Sequence, residues 1–282
     1  MPLPAVPTTK LPSGEAVPVL GQGTWHMGDD RPKRKQEIAA LRLGLDLGLS
    51  LIDTAEMYGS GASEELIGEA IAGRRDEVFL VSKVLPENAT ARGTVSACEK
   101  SLKRLGTDRL DLYLLHWRGS VPVAETLEGF AALVRAGKIR HWGVSNFDVD
   151  ETMELWSLSG SDEAQTNQVL YNLSRRGIEF DLLPLLQRRR IPIMAYSPIE
   201  QGRLVKNGTL RDIAERHDAT PAQVALAWVL RQAGVIAIPK AANEQHVREN
   251  RAALALRLSA EDLVALDLAF PPPGGPAPME MI

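Results

Sequence analysis

Short apolar runs alternate with helical patterns along most of this chain of 282 residues. The runs are rich in strand-forming residues and recur at intervals of roughly thirty residues, which is the size of one βα unit. Eight of them are present, beginning near Val17, Leu49, Glu77, Leu110, Lys138, Ala164, Ile191 and Gly234. This alternation predicts βαβ units and a parallel sheet. Eight such units predict an α/β fold of the (β/α)₈ TIM-barrel type.

A doubly wound open sheet is the main alternative for such an alternation. It would carry the phosphate-binding turn G-x-G-x-x-G after its first strand. Here the first strand continues as GQGTWHMG, in which Gly21 and Gly23 are present but His26 takes the place of the third glycine. We therefore reject that motif and predict a single barrel domain over residues 1–282.

Both ends of the chain depart from the repeat. The segment TKLPSGEAVPV places a turn at Ser13 and Gly14 between two short strand patterns, which predicts an N-terminal β-hairpin at the bottom of the barrel. Residues 271–282, PPPGGPAPMEMI, are rich in proline and glycine and cannot hold a helix. We expect them to form a short C-terminal tail that is either disordered or lies over the surface.

Capping signals mark the boundaries of several helices. The segment SEELIGEAIAG predicts a helix that is capped by Ser63 and ends at Gly73. In TPAQVALAWVLRQAG, Thr220 is the expected cap, Pro221 takes the first helical position, and Gln223 completes a capping box.

Composition limits the partners and the surroundings of the protein. The formal net charge is −4, from 32 basic and 36 acidic residues, which argues against nucleic acid or an anionic membrane as a partner. No run of about 18 apolar residues could span a membrane, and the proline-broken start MPLPAVPTTK does not fit a signal peptide. Cys98 is the single cysteine, so we expect a reducing, cytoplasmic location and a packing role for Cys98.

Polar residues stand where the predicted strands end. The C-terminal ends of barrel strands converge on one mouth, where the reactive groups of such folds lie. Asp53, Lys83 and His116 end three successive strands and are 30 and 33 residues apart. We therefore expect these side chains to face one cavity, with Tyr58 in the loop beyond Asp53. The other strand ends carry Thr24, Trp25, Trp117, Ser145, Asn146, Gln168, Tyr196, Ser197 and Lys240.

Asp53, Tyr58, Lys83 and His116 together suit the delivery of a proton to a carbonyl oxygen. A free phenol has a pKa of about 10 and is a slow proton donor at neutral pH. A nearby ammonium would stabilise the phenolate and lower that pKa, and a carboxylate would hold the ammonium in place. A neutral His116 could orient the carbonyl by a hydrogen bond while hydride adds to its carbon. Each residue alone also fits a structural role, but four of them at one rim favour catalysis.

Several motifs resemble those of the aldo-keto reductases. DTAEMYG, SKV, LLHW, GVSNF, NQVLYN, AYSP and IPKAANEQHVREN occur in the family's order and span nearly the whole chain. The resemblance implies a (β/α)₈ barrel that reduces aldehydes and ketones with NADPH. By position it makes Tyr58 the general acid, Lys83 and Asp53 the pair that tunes it, and His116 the residue that orients the substrate.

The resemblance also implies the residues that bind cofactor and substrate. Ser145, Asn146 and Gln168 would hold the nicotinamide carboxamide, and Tyr196 would stack under the nicotinamide ring. The segment IPKAANEQHVREN would bind the adenosine end, where helix N–H groups near Asn243 suit an anion. The implied cofactor contacts are Thr24, Trp25, Asp53, Ser145, Asn146, Gln168, Tyr196, Ser197, Lys240, Asn243, Arg248, Glu249 and Asn250. The implied substrate contacts are Trp25, Tyr58, His116 and Trp117.

The adenosine segment departs from the family pattern at two positions. Many members place a serine after the lysine and an arginine six residues after it, whereas this sequence has Ala241 and His246. We expect a weaker, pH-sensitive grip on the 2′-phosphate of NADPH, which leaves NADH possible. His26, His141 and His217 lack metal-ligand spacing, so we predict no metal site.

Short rim loops indicate an open, shallow site for small carbonyls. The segments after the fourth and seventh strands are short, and the tail offers few residues to cover the mouth. We therefore expect it to act on 2-oxoaldehydes, in keeping with the likeness to the branch of the family that includes methylglyoxal reductases. We also expect a monomer.

Three other functions remain open. A Schiff-base aldolase could use Lys83 as its nucleophile, although an imine-forming lysine must lose the proton that Asp53 would hold in place. A non-catalytic, nucleotide-sensing regulatory subunit could share the fold and the cofactor residues. A purely structural barrel is the third, and it would not need Asn146, Gln168 and Tyr196 at one mouth.

Overall fold

The computed structural model describes residues 4–282, in which a barrel of eight parallel strands is surrounded by helices. The barrel strands are β3 (Gln22–Gly23), β4 (Leu51–Asp53), β5 (Phe79–Val84), β6 (Leu110–Leu115), β7 (Ile139–Ser145), β8 (Ala164–Leu170), β9 (Ile193–Tyr196) and β10 (Val235–Ala237). They follow a hairpin of β1 (Thr8–Lys10) and β2 (Ala16–Pro18). The helices are α1 (Arg34–Asp46), α2 (Ala62–Ala70), α3 (Ala91–Leu105), α4 (Val123–Arg135), α5 (Val149–Ser157), α6 (Leu182–Arg188), α7 (Gly208–Arg216), α8 (Pro221–Leu230), α9 (Glu244–Ala252) and α10 (Ala260–Ala269).

The first and last barrel strands meet and close the sheet. Leu20 pairs with Ala237 in a parallel bridge, and Gly21 donates its N–H to the carbonyl of Ala237 at 2.9 Å. Glycine is needed for this approach, because a Cβ atom on Gly23 would lie 2.5 Å from the carbonyl oxygen of Ile238. Gly23 thus serves barrel closure, whereas a Cβ atom on Gly21 would lie 2.5 Å from Leu51 Cδ2 in β4. The predicted (β/α)₈ fold is confirmed.

The predicted hairpin closes the N-terminal end of the barrel. Leu11 and Val17 are buried in the same apolar cluster as inward-facing residues of β4, β5, β6, β9 and β10. The N–H of Ser13 donates to Gln165 Oε1 at 2.9 Å, which fixes the hairpin turn to β8. Val17 does not begin the first barrel strand as predicted, because it pairs with β1, and β3 begins only at Gln22.

Helix α8 begins with the predicted capping box. Thr220 Oγ1 accepts a hydrogen bond from the N–H of Gln223 at 3.2 Å, and Gln223 Oε1 accepts one from the N–H of Thr220 at 2.8 Å. Pro221 occupies the first helical position, where its missing N–H removes no intrahelical bond. The start of this helix is therefore fixed by local sequence alone.

Helix α2 begins and ends earlier than its sequence pattern indicates. It starts directly after Gly61, whose left-handed backbone (φ 98°) turns the chain into the helix. The predicted cap at Ser63 is wrong, because that residue lies inside the helix and its Oγ donates to Thr24 Oγ1 at 2.9 Å. The helix ends at Ala70 rather than at Gly73.

The C-terminal tail, residues 271–282, lies against the barrel. Met279 packs on the apolar core, and Glu280 Oε1 is 2.5 Å from Arg175 Nη1 in the loop after β8. The backbone of Ile282 lies close enough to the hydroxyl of Tyr196, at the end of β9, to act on its pKa, which burial raises overall. Of the two alternatives expected for the tail, the structure shows the second, in which it lies over the surface, and its last residues reach the edge of the mouth.

Cys98 is buried in α3, as expected of a packing residue. Burial raises the pKa of its thiol to about 12. A thiol with such a pKa is not a nucleophile at neutral pH. Within the part of the chain that the structure describes, none of the helices combines the length and the apolar character that a membrane crossing needs.

Candidate active site

Asp53, Lys83 and His116 occupy inward-facing positions where β4, β5 and β6 end. Side chains alternate between the two faces of a strand. The residues two positions earlier on these strands, Leu51, Val81 and Leu114, belong to the buried cluster inside the barrel. The three polar side chains continue that inward series to the C-terminal mouth.

Three acceptors surround the Lys83 ammonium. Its Nζ donates to Asp53 Oδ2 at 2.8 Å, to the carbonyl of Thr54 at 2.7 Å and to Tyr58 Oη at 3.3 Å. Lys83 has 0% and Asp53 2% of its surface exposed, so these bonds replace all hydration of the cation. The other carboxylate oxygen, Asp53 Oδ1, accepts from Gln168 Nε2 at 2.8 Å.

Burial and neighbouring charges set the protonation states of the site. Burial acts to lower the pKa of Lys83, but Asp53 and Tyr58 outweigh it and the pKa is raised. Burial raises the pKa of Tyr58, and Lys83 lowers it without offsetting the burial. The expected net lowering of the Tyr58 pKa is therefore wrong here, because desolvation of the phenolate is the larger effect. Burial, with Lys83 adding to it, lowers the pKa of His116 to about 2.

A tight turn holds Tyr58 at the mouth. Gly59, Ser60 and Gly61, which follow it, all have left-handed backbone, with φ of 56°, 52° and 98°. The ring of Tyr58 meets the ring of His116 edge-on, with centroids 6.0 Å apart. The phenol and the imidazole are therefore neighbours at the mouth. The turn also explains why glycines follow the tyrosine in DTAEMYGSG.

A second polar group borders the first. Tyr196 Oη donates to Asn146 Oδ1 at 3.0 Å, and Asn146 Nδ2 donates to the carbonyl of His116 at 3.1 Å. Ser145 Oγ donates to the carbonyl of Gln168 at 2.8 Å. The structure therefore brings together the four residues that were predicted for the nicotinamide, next to the proposed catalytic group.

The two tryptophans predicted for the substrate lie in loops at the mouth and are partly exposed. The ring of Trp117 packs on His116, with centroids 4.7 Å apart, and Trp25 follows β3. Thr24 is buried, and its Oγ1 donates to the carbonyl of Asp53 at 2.8 Å. Its hydroxyl hydrogen is thus used in joining the loop after β3 to β4.

The residues predicted for the adenosine end lie around the start of α9, and Lys240 adjoins the end of β3 through a parallel bridge to Gly23. They are Lys240, Asn243, Arg248, Glu249 and Asn250. Asn243 caps the helix, and its Oδ1 accepts from the N–H of His246 at 2.8 Å. Lys240 and Arg248 are exposed and Asn250 is buried. Within residues 4–282, the lysines that form ion pairs with carboxylates are Lys33, Lys83 and Lys138. Lys240 therefore has no acidic partner there.

The sequence analysis missed residues that join the rim loops. Asn172, after β8, donates from Nδ2 to the carbonyl of Ser197 at 2.9 Å and to Glu200 Oε2 at 2.7 Å. Arg175 Nη2 lies 3.2 Å from Glu200 Oε1. The only signal was a polar run, NLSRRG, after the sixth strand, and the partners of Asn172 lie 25 and 28 residues away.

The remaining histidines that were considered as metal ligands each pair with one carboxylate. The distances are 2.8 Å for His26 and Asp29, 2.6 Å for His141 and Glu15, and 2.6 Å for His217 and Asp262. In residues 4–282, no group of three or more His, Cys, Asp or Glu side chains could hold a metal ion.

Known proteins are similar to this chain over nearly its whole length. The sequence model described as the Aldo/keto reductase family matches residues 19–269. The chain is 53% identical over 272 residues to methylglyoxal reductase YeaE of Escherichia coli strain K12, which covers 95% of this chain and 96% of that protein. It is 36% identical over 270 residues to glyoxal reductase of Bacillus subtilis strain 168, with 95% and 94% covered. A crystal structure of an aldo-keto reductase from Klebsiella pneumoniae in complex with NADPH has a TM-score of 0.96 at 49% identity and covers 99% of this chain and 100% of that one.

Proposed function

This chain belongs to the aldo/keto reductase family, and on that premise we propose that it reduces small aldehydes and ketones with NADPH, and 2-oxoaldehydes such as methylglyoxal in particular. Two similar proteins are named methylglyoxal reductase and glyoxal reductase, and a similar structure was solved with NADPH. The observation that carries the proposal is the buried Lys83 ammonium, held by Asp53 and 3.3 Å from the Tyr58 hydroxyl.

The residues at the mouth fit a nicotinamide dinucleotide. The amide side chains of Asn146 and Gln168 match a carboxamide, and the partly exposed ring of Tyr196 offers a flat face to a planar ring. Lys240, which is exposed and without an acidic partner in the described residues, suits a phosphate. The reduced nicotinamide supplies the hydride when it is bound.

We assign proton delivery to Tyr58. Its raised pKa keeps the hydroxyl protonated at neutral pH, so the proton is present when negative charge develops on the carbonyl oxygen. The O–H bond of Tyr58 breaks as a new O–H bond forms on the substrate, and the carbonyl becomes an alcohol. Lys83 then stabilises the phenolate, and Asp53 keeps the ammonium in place.

We assign orientation of the carbonyl to His116. With a pKa lowered to about 2, the imidazole is neutral at any pH at which the protein would work. Its Nδ1 is buried and has no hydrogen-bond partner in residues 4–282. A neutral imidazole can donate one hydrogen bond without placing a second cation beside Lys83.

The same contacts argue against the Schiff-base alternative. All three hydrogens of the Lys83 ammonium have acceptors, and the pKa of the group is raised. A lysine that forms an imine must be neutral and have room to attack a carbonyl. Lys83 is therefore better placed to support Tyr58 than to act as a nucleophile.

We further propose that the protein is a single-domain monomer of the cytoplasm that binds neither nucleic acid nor membranes. The net charge of −4 and the single buried cysteine support this. A sedimentation-equilibrium mass near 30.8 kDa is the expected result, and a mass of twice that value would contradict the monomer.

Turnover of purified protein tests the proposal directly. We expect oxidation of NADPH in the presence of methylglyoxal and glyoxal, slower oxidation with bulky aromatic aldehydes and sugars, and a lower rate with NADH. Binding of NADPH without turnover of any carbonyl in the panel would instead support the nucleotide-sensing subunit. A covalent adduct on Lys83 after borohydride treatment with a carbonyl would support the aldolase.

A further inference from the structure

A chain of charged groups joins the C-terminal tail to two loops at the barrel mouth. Glu280 Oε1 in the tail lies 2.5 Å from Arg175 Nη1, and Arg175 Nη2 lies 3.2 Å from Glu200 Oε1. Arg175 belongs to the loop after β8 and Glu200 to the loop after β9. Three separate segments therefore meet at one guanidinium group.

Glu200 is the fixed end of this series of charged groups. Its side chain is 5% exposed, and it also accepts hydrogen bonds from Asn172 Nδ2 and Arg203 Nη2, each at 2.7 Å. A buried carboxylate depends on such partners, because leaving one unpaired is costly. Glu200 and Gln201 have left-handed backbone, with φ of 49° and 54°, which persists in non-glycine residues only where contacts enforce it. We call residues 197–206 the Glu200 loop.

The tail is seated on the barrel as well as tethered to it. Met279 packs on the apolar core. Residues 276–280 line one side of a cavity of about 300 Å³, and Leu170, Ile178 and Leu182 line the other. The tail continues to Ile282, whose backbone lies close enough to the Tyr196 hydroxyl to act on its pKa. Its last residue therefore lies beside the ring that we assign to the nicotinamide.

We propose that Arg175 is a positioning residue that couples the tail to the Glu200 loop, so that both segments close over bound dinucleotide and carbonyl together. The identity of the covered ligands, a dinucleotide and a carbonyl, rests on the proposed function. The coupling of the two segments through Arg175 does not. Glu280 and Arg175 are 45% and 35% exposed, so their ion pair can open at small cost. Glu200 is buried and stays with its partners. Opening of the Glu280–Arg175 pair therefore frees the tail for exchange of ligands, and the Glu200 loop keeps its own partners but loses the support that the tail gives it through Arg175.

Proteolysis without nucleotide tests the coupling alone. Trypsin cleaves after Arg203 and Lys206, which lie in the Glu200 loop, and mass spectrometry reports the rate at these two sites. We expect Glu280→Gln, which changes only the tail, to speed cleavage there about two- to fivefold, the range for loss of a partly exposed ion pair. Glu128→Gln, at an exposed position of α4, is the matched control and should cleave as the wild type does. Equal rates for all three proteins would overturn the coupling.

NADPH kinetics test the consequence for the reaction. In Glu280→Gln we expect the rate of NADPH release and the KM for methylglyoxal each to rise about two- to fivefold. The single-turnover rate of reduction should stay at the wild-type value, because the variant leaves the groups around Lys83 intact. A decrease in the single-turnover rate alone, with the rate of NADPH release and the KM for methylglyoxal unchanged, would overturn the positioning role of Arg175. If the wild type itself neither binds NADPH nor reduces carbonyls, the proposed function fails, and the proteolysis result still decides whether tail and loop are coupled.

Discussion

Lys83 Nζ and Asp53 Oδ2 lie 2.8 Å apart inside the barrel, although 30 residues separate them in the chain. The register of β4 and β5 brings them together, because Asp53 pairs with Val81 and Lys83 is two residues further along β5 on the same face. One βα unit thus places a cation beside a carboxylate at the mouth. The Tyr58 hydroxyl, 3.3 Å from the same Nζ, completes the arrangement.

Replacing the tyrosine tests proton delivery. We expect Tyr58→Phe to bind NADPH as the wild type does and to reduce methylglyoxal roughly 10²–10⁴-fold more slowly, the usual contribution of a general acid. Fluorescence titration gives the affinity, and the loss of NADPH absorbance gives the rate. Met57→Leu, a change at the exposed neighbouring position, should retain wild-type turnover. Unchanged turnover in Tyr58→Phe would end the assignment of Tyr58 as the general acid.

Removing the buried cation alone leaves Asp53 as an uncompensated charge. We expect Lys83→Met to lower the free energy of unfolding by about 3–5 kcal/mol, the range for breaking one side of a buried ion pair. The double variant Asp53→Asn/Lys83→Met should lose less stability than the single variant, since no buried charge remains. Urea denaturation measures both. Neither variant should reduce methylglyoxal at the wild-type rate. Equal stability of the single and double variants would show that the charges of Lys83 and Asp53 are not coupled.

Strand spacing was sufficient to predict where Asp53, Lys83 and His116 meet. Successive parallel strands of a barrel end at one mouth, so residue type and position along each strand determine which groups share it. The capping box at Thr220 was predictable for a related reason, because its partner Gln223 is only three residues away. The sequence therefore predicts features that depend on neighbouring residues, such as the capping box, and features that recur with each βα unit, such as the residues at the strand ends.

Contacts between distant loops were beyond such reasoning. Ser63 has the residue type of a helix cap, yet its hydroxyl is used by Thr24, which lies 39 residues earlier. The pKa of Tyr58 was expected to fall, because proximity to Lys83 could be inferred from spacing whereas the extent of burial could not. The meeting of Arg175 with Glu280 spans 105 residues and depends on the path of a tail that has no regular structure.

Acid should weaken the contact between α10 and the end of α7. Burial acts to raise the pKa of Asp262, but hydrogen bonds from His217, Ser259 and Arg216 outweigh it and hold the pKa below its ordinary value. The stabilisation is therefore present above the unfolded pKa of about 3.9 and is lost as pH falls through the folded value. We expect Asp262→Asn to be less stable than the wild type in urea at neutral pH, with the difference shrinking in strong acid. Asp212→Asn, at an exposed site on α7, should show no such difference, and a gap for Asp262→Asn that widens in acid would contradict this account.

Barrel closure depends on the absence of a side chain in β3. A Cβ atom at Gly23 would lie 2.5 Å from the backbone oxygen of Ile238, and backbone cannot move aside as a flexible side chain can. We expect Gly23→Ala to lower the free energy of unfolding by about 1–3 kcal/mol, the usual cost of overpacking. Gly208→Ala is the control, because no atom lies within 4 Å of its added Cβ. Thermal unfolding of both variants checks this, and equal stability would mean that β3 and β10 can separate without cost.

Recognition of the 2′-phosphate is expected to depend on Lys240. This side chain is exposed and has no acidic partner in residues 4–282, so its charge is available to an anion. NADPH carries the 2′-phosphate and NADH does not. We therefore expect Lys240→Ala to weaken NADPH binding several-fold more than NADH binding, as measured by fluorescence titration with each nucleotide. Lys100→Ala, at an exposed site on α3, should leave both affinities unchanged. An equal loss for the two nucleotides in Lys240→Ala would mean that Lys240 does not contact the 2′-phosphate.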